Sequence, residues 1–256
     1  NVLPDAYNPQ TGEIMGDIEW NELVTDLKKT EQLKSISLYF QLMNDRPEEF
    51  ANTGLINIEK NIDKFMVAAQ VLNKPVGVVY ESKYHLMVVD ICIGKNGYYT
   101  YERIIPKIQG IAVAVLAEWS GRFFLLKQYR HALRDWQYAI PRGFAKDGLS
   151  GKDNAVKNVI EKTGCTVSNI TYLGTTVADS GLSGTKVAVY HAKCSEPDFK
   201  YGTGNAAQLV SVKPEELKKM IHDGKVTDGF TMTALMMYLA KKTKAIVFVF
   251  TIIIQL

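Results

Sequence analysis

The spacing of apolar residues changes near Val76, and this change restricts the fold more than any other feature of the sequence. Between residues 17 and 73, apolar side chains recur at helical spacing and no glycine-rich loop interrupts them. From residue 76 onward, short apolar runs alternate with glycine-containing turns, which is typical of β-strands joined by hairpins. We therefore expect an α/β fold with a mixed sheet and an N-terminal helical extension.

The N-terminal segment predicts three helices. Their apolar positions fall within residues 20–27, 36–42 and 62–72. Pro47 ends the second helix, because proline cannot continue a helix and pushes its predecessor out of the α region. The segment contains no cluster of catalytic residue types, so we expect it to serve packing or partner binding.

Strands and helices follow one another through the rest of the chain. The turn at residues 94–97 predicts a hairpin between two of the strands. The expected strands are 76–80, 84–93, 98–105, 111–117, 123–128, 170–178, 186–192 and 208–212, and the expected helices are 152–162, 214–223 and 228–241. Mixed strands around a few helices favour a sandwich over a parallel doubly wound sheet.

Residues 245–256 form an apolar, β-branched run that follows Lys241, Lys242 and Lys244. A helix of this length cannot cross a bilayer, which takes about 20 residues. We expect a terminal strand that is buried against this chain or against a partner subunit. The alternative is a weak membrane anchor that the lysines assist.

Composition excludes several classes of protein. Of the 256 residues, 46% are hydrophobic and 22% are charged, so the chain can bury a core and is not globally disordered. The formal net charge is +3 with no run of basic residues, so we expect no nucleic-acid partner and no attachment to a membrane. Three separated cysteines and an N-terminus without a secretion signal favour a cytoplasmic protein.

The segment 126–165 carries the most informative motif. It contains KQYR at 127–130, IPRGF at 140–144, and two glycines, Gly143 and Gly164, on either side of a helical pattern. These features resemble the Nudix box, whose general form is G-x5-E-x7-R-E-U-x-E-E-x-G-U, where U is aliphatic. The two glycines of the box fall in register with this form.

Two later segments extend the resemblance. ADSGLS at 178–183 and MIHDGKVTDGFT at 220–231 are similar to segments of the ADP-ribose and nucleotide-sugar pyrophosphatases. The resemblance implies a Nudix α/β/α sandwich with a mixed sheet over residues 76–244, an N-terminal helical extension over 1–75 and an apolar tail over 245–256. Within the Nudix-like domain, 76–105 resembles the N-terminal sheet through which these enzymes dimerise and 106–244 the core, so a homodimer is expected.

Most acidic positions of the box are altered. Leu149 and Asn158 stand where the pattern has glutamates, Lys157 replaces its arginine, and Glu161 and Lys162 replace its final glutamate pair. The family's glutamates hold Mg²⁺ or Mn²⁺, because hard cations prefer carboxylate oxygens. Two unit charges about 4 Å apart interact by about 4 kcal/mol at an effective dielectric near 20, so a lysine at a ligand position repels the ion.

The resemblance assigns candidate roles around the box. Glu161 is the candidate catalytic residue and metal ligand, with an ordinary helix pair to Lys157 as the alternative. Arg130 and Arg142 are expected near the phosphates, since guanidinium groups form bidentate hydrogen bonds with them; a structural ion pair is the alternative for each. The remaining candidate ligand-binding residues are Gly143, Lys157, Asn158, Lys162 and Gly181.

Three functions remain open at this stage. The first is binding of a small-molecule nucleoside-diphosphate ligand with little or no metal-dependent hydrolysis, in which Lys157 and Lys162 act as tethered cations and no cofactor is needed. The second is an active Nudix hydrolase that uses Mg²⁺ or Mn²⁺ with altered metal dependence. The third is a structural module with a vestigial pocket.

Overall fold

The chain divides into two compact units, Asn1–Lys107 and Ile108–Leu256. The computed structural model describes residues 17–198, 200 and 207–255. The strands expected over 76–105 therefore lie in the same unit as the N-terminal helices.

The first unit packs two helices with a small antiparallel sheet. Its elements are α1 (Asp17–Asp45), a 3-10 turn (Pro47–Phe50), β1 (Asn57–Ile58), α2 (Ile62–Leu72), β2 (Gly77–Glu81), β3 (His85–Gly94) and β4 (Gly97–Pro106). β3 is the central strand: β4 pairs along its length, and β2 and β1 pair with its first and second halves. The predicted hairpin at 94–97 joins β3 to β4.

One helical prediction in this unit is wrong in its bounds. The helices expected at 20–27 and 36–42 are parts of the single helix α1, which ends at Asp45 just before Pro47. The residues between the two expected helices contain neither glycine nor proline, and most of them are good helix formers, so the backbone has no reason to break there.

The centre of the first unit combines aromatic packing with a buried ion pair. Tyr39 contacts the rings of Phe50 and Phe65 and donates a hydrogen bond of 2.7 Å from its hydroxyl to Asp90 Oδ1. The Arg103 guanidinium binds both oxygens of the same carboxylate, at 2.6 Å and 3.2 Å. The pair satisfies a carboxylate that is almost fully buried, which would otherwise strongly destabilise the fold.

The second unit is built on a seven-stranded sheet. Its elements are β5 (Ala112–Trp119), β6 (Arg122–Arg130), β7 (Asp135–Ala139), β8 (Arg142–Gly143), α3 (Gly151–Thr163), β9 (Val167–Val177), β10 (Lys186–Cys194), β11 (Ala207–Val212), α4 (Pro214–His222) and α5 (Gly229–Gln255). The main strand order is β11-β6-β5-β10-β9, while β7 pairs with β6 and β8 with β5. β5 and β10 run parallel and the other pairs are antiparallel, so the sheet is mixed.

The two central strands separate along their length. β5 and β6 pair only beside their connecting turn, through Glu118 with Phe123 and Trp119 with Arg122. Farther along, β6 pairs with β7, and β5 pairs with β8 at Val113 and Ala114. β8 thereby places Arg142 and Gly143 beside the gap between β5 and β6.

Helices cover both faces of this sheet. Alternate residues of β5 face opposite sides: Val113 and Val115 pack with α3, and Ala114 and Leu116 pack with α4 and α5. The period of 2 along a strand thus produces two separate apolar layers. The predicted α/β/α sandwich with a mixed sheet is confirmed.

The tail does not form the terminal strand that its composition predicts. Residues 245–255 continue α5, and no glycine or proline after Gly229 interrupts that helix. Burial of the tail side chains lies outside the described residues. Within the part of the chain that is described, no helix has the length and apolar character needed to span a bilayer.

Candidate ligand-binding site

The box helix α3 is delimited by local signals in the sequence. Ser150 caps its first turn, with the Asp153 N–H donating to Ser150 Oγ at 3.1 Å. Gly164 ends it in the left-handed conformation with φ 69°, and its N–H donates to the Ile160 carbonyl. Both residues suit these positions, since Ser is favoured at an N-cap and Gly at a left-handed helix end.

Two buried asparagines connect α3 to the loops around β8. Asn154 is 0% exposed, and its Nδ2 donates to the carbonyls of Ile111 and Phe144, both at 3.0 Å. Asn158, one turn later and 2% exposed, lies against Gly143, where a Cβ would come within 2.3 Å of Asn158 Nδ2. The Oδ1 atoms of both side chains are buried without a hydrogen-bond partner. A helix face that would hold metal ligands in the family therefore presents neutral amide groups.

Arg142 is anchored by the start of α5. Its Nη1 lies 3.2 Å from Asp228 Oδ1, and its guanidinium lies 5.1 Å from the centre of the Phe230 ring. Asp228 is 3% exposed and caps α5, accepting hydrogen bonds from the backbone N–H and hydroxyl of Thr231 at 2.9 and 2.7 Å. The Thr231 hydroxyl in turn accepts from the Ile140 N–H, which ties α5 to the segment before β8. The ion-pair alternative for Arg142 is thus realised.

Arg130 lies near Arg142 without an equivalent partner. Its side chain is half-buried at the end of β6, and its Nε is buried with no hydrogen-bond partner. Burial, and next the charge of Arg142, lower the pKa of Arg130, and Asp228 offsets only part of this effect. Asp228 forms its salt bridge with Arg142, and Arg130 has none among the described residues, which leaves positive charge available for an anion.

The Glu161 carboxylate forms a salt bridge with Lys146. Lys146 Nζ lies 2.8 and 2.7 Å from its two oxygens, so the carboxylate pairs with Lys146 and not with Lys157. The hydrogen bond from Lys146 holds the pKa of Glu161 below its usual value, and the charges of Lys146, Lys157 and Lys162 add to this. Burial opposes this lowering of the pKa but does not cancel it, and the Glu161 side chain remains 44% exposed.

The donor set does not fit the divalent ions of the family. Among the described residues, no group of three or more His, Cys, Asp or Glu side chains could hold a metal ion. Glu161 is paired with Lys146, and the charges of Lys157 and Lys162 also act on its carboxylate. Magnesium is usually bound through one or two carboxylates together with water and substrate phosphates, so these lysines oppose rather than assist its binding.

Gly181 lies apart from α3 along the chain. It sits in the loop that joins β9 to β10, and its N–H donates to Asp179 Oδ1 at 3.0 Å. Its expected ligand-binding role remains a prediction.

Sequence reasoning missed three residues of the site. The Asp228-Gly-Phe-Thr order is a helix N-cap signal that could have identified Asp228. Asn154 could have been noticed as an amide among the apolar positions of α3. Lys146 carries no local signal, because its partner Glu161 is 15 residues away.

The comparisons support the fold. No family model matches the sequence, and no curated protein matches it. A solved structure described as the crystal structure of an ADP compounds hydrolase matches with a TM-score of 0.58 and 15% sequence identity, covering 66% of this chain and 91% of that chain. The fold is Nudix-like. At this identity the match shows the fold alone, and it agrees with the α/β/α layers of the second unit.

Gly143→Ala should destabilise the protein by about 1–3 kcal/mol, because the new methyl group overlaps the buried Asn158 amide. Urea denaturation measures the change. Gly184→Ala is the matched control, since a Cβ there meets nothing within 4 Å. In an Asn158→Ala background, the added loss from Gly143→Ala should fall to about 0.5 kcal/mol or less. An unchanged loss in that background would show that the contact with Asn158 is not the cause.

Proposed function

We propose that this protein binds a small molecule containing a nucleoside diphosphate and hydrolyses it slowly or not at all. One observation carries the proposal. Three side-chain atoms of the described residues are buried without a hydrogen-bond partner: Arg130 Nε, Asn154 Oδ1 and Asn158 Oδ1. Buried polar atoms nearly always have partners, so these three atoms, one at the end of β6 and two on α3, indicate a ligand or ordered solvent that completes them.

The residues that carry these atoms lie on both sides of β8, with Arg130 near Arg142 and Asn158 beside Gly143. Arg130 is close enough to Arg142 for their charges to interact, Arg142 precedes Gly143, and Gly143 lies against Asn158. The two arginines supply the donors that phosphate oxygens require. The two amide oxygens are almost fully buried, so a ligand hydroxyl or an ordered water that enters between α3 and β8 would complete them. These residues thus offer partners for the phosphate and hydroxyl groups of a nucleoside diphosphate.

Slow hydrolysis follows from the charges on α3. A metal-activated water needs ions that are held by several oxygen ligands, and Glu161 is already paired with Lys146. At an effective dielectric near 20, an ammonium about 6 Å from a divalent ion raises the energy by about 5 kcal/mol. The retained Glu161 and the likeness to an ADP compounds hydrolase favour one alternative, an active hydrolase with altered metal dependence.

Ligand binding should raise the melting temperature of the protein. The panel contains ADP-ribose, nucleotide sugars and dinucleotides, each with and without magnesium, and a native-state ligand stabilises by mass action. Arg130→Met should abolish most of the shift, because it removes a guanidinium whose Nε has no hydrogen-bond partner. Arg134→Met, which removes the same charge from the exposed turn after β6, should leave the shift in place. Absence of any shift across the panel would favour a vestigial pocket, and product release with magnesium would favour the hydrolase.

Restoring the acidic positions tests the loss of catalysis separately. The triple variant Leu149→Glu, Asn158→Glu and Lys162→Glu should gain magnesium-dependent cleavage of a ligand that the first experiment identifies, because the carboxylates of the pattern return to α3 and to the loop before it. Phosphorus NMR of the reaction mixture measures the products. A folded triple variant that binds the ligand and remains inactive would argue against missing metal ligands as the cause.

Self-association through the strands of the first unit is a further part of the proposal. Within the described residues β4 pairs only with β3, and Tyr98, Tyr99 and Tyr101 on β4 are exposed. An edge strand with exposed aromatic side chains suits pairing with a second copy. Sedimentation velocity at micromolar concentration should show a dimer. A protein that stays monomeric up to roughly 100 micromolar would refute this, because a stable homodimer forms within that range of concentration.

A further inference from the structure

Lys146 reaches Glu161 from outside the box helix. It lies in the loop between β8 and α3, and its ammonium contacts both oxygens of the only carboxylate that the box retains. Lys157 stands one turn before Glu161 on the same helix, and Lys162 follows it directly. The charges of all three lysines act on that carboxylate.

We propose that Lys146, together with Lys157 and Lys162, takes the place of the divalent cation, so that the site beside α3 binds a diphosphate group without magnesium. This inference rests on the proposed function and adds its metal requirement. Lys146 occupies the retained ligand, and the other two lysines keep the region positive after that pairing. A diphosphate carries several negative charges, which complement a cluster of ammonium groups better than one carboxylate does.

The pair between Lys146 and Glu161 is suited to exchange. The two side chains are 33% and 44% exposed, and exposed ion pairs of this kind contribute little to stability. Lys146 can therefore leave Glu161 and donate to a phosphate oxygen when the ligand enters. A divalent ion that approached Glu161 would instead have to displace Lys146 and remain beside Lys157 and Lys162.

Isothermal titration of the full chain with ADP and with inorganic pyrophosphate tests the metal requirement. We expect the Kd measured in excess EDTA to lie within about twofold of the Kd measured with magnesium, a difference well under the factor of ten that 1.4 kcal/mol represents. If the probes bind only when magnesium is present, the inference is overturned, whereas the proposed function stands because a ligand is still bound. Failure of both probes and of the wider nucleotide panel under both conditions would overturn the proposed function itself.

Variants separate the lysine cluster from general charge. Lys146→Gln should weaken binding in EDTA about tenfold or more, because it removes a charge-assisted hydrogen bond to phosphate. Lys146→Arg should retain most of the affinity, and this variant guards against a purely structural effect. Lys152→Gln removes an exposed lysine from the first turn of α3 and should change the Kd by less than about twofold. Equal affinities of Lys146→Gln and the unmodified protein would refute the role of Lys146.

Discussion

The contact between Gly143 and Asn158 is the constraint on which the candidate site depends. It fixes the separation between β8 and α3 at a value that leaves no room for a Cβ. Asn154 adds hydrogen bonds to Ile111, just before β5, and to Phe144, just after β8, so amide contacts hold the helix beside both strands. The ion pair between Lys146 and Glu161 is a further link between the loop after β8 and α3.

Much of the fold could be predicted from the sequence, because its elements are set by local periodicity. β3 to β6, β9 to β11 and α3 to α4 lie where apolar spacing and turn residues indicate them. β7 and β8 were missed, since a five-residue and a two-residue strand leave too short a pattern to detect. The tail shows the opposite error: its β-branched composition favours a strand, whereas its continuity with α5 extends the helix.

The site was predictable to the extent that it follows from a linear motif. Arg142 and Gly143 adjoin the box helix as the motif implies, and the charges of Arg130 and Arg142 interact. The motif could not predict salt bridges between residues that lie far apart in the sequence. Asp228 joins Arg142 across 86 residues of chain and Lys146 joins Glu161 across 15, and neither partner can be chosen without coordinates.

The residues that attach α3 to the sheet differ from the residues that carry its charges. Ala155 and Val159 attach the helix to the sheet, while Lys157, Glu161 and Lys162 contribute nothing to that layer. Mutations can therefore exchange an acid for a base on the second set without exposing the apolar layer to water. The charge pattern of such a helix, and with it the ligand that the helix contacts, can change through intermediates that all remain folded.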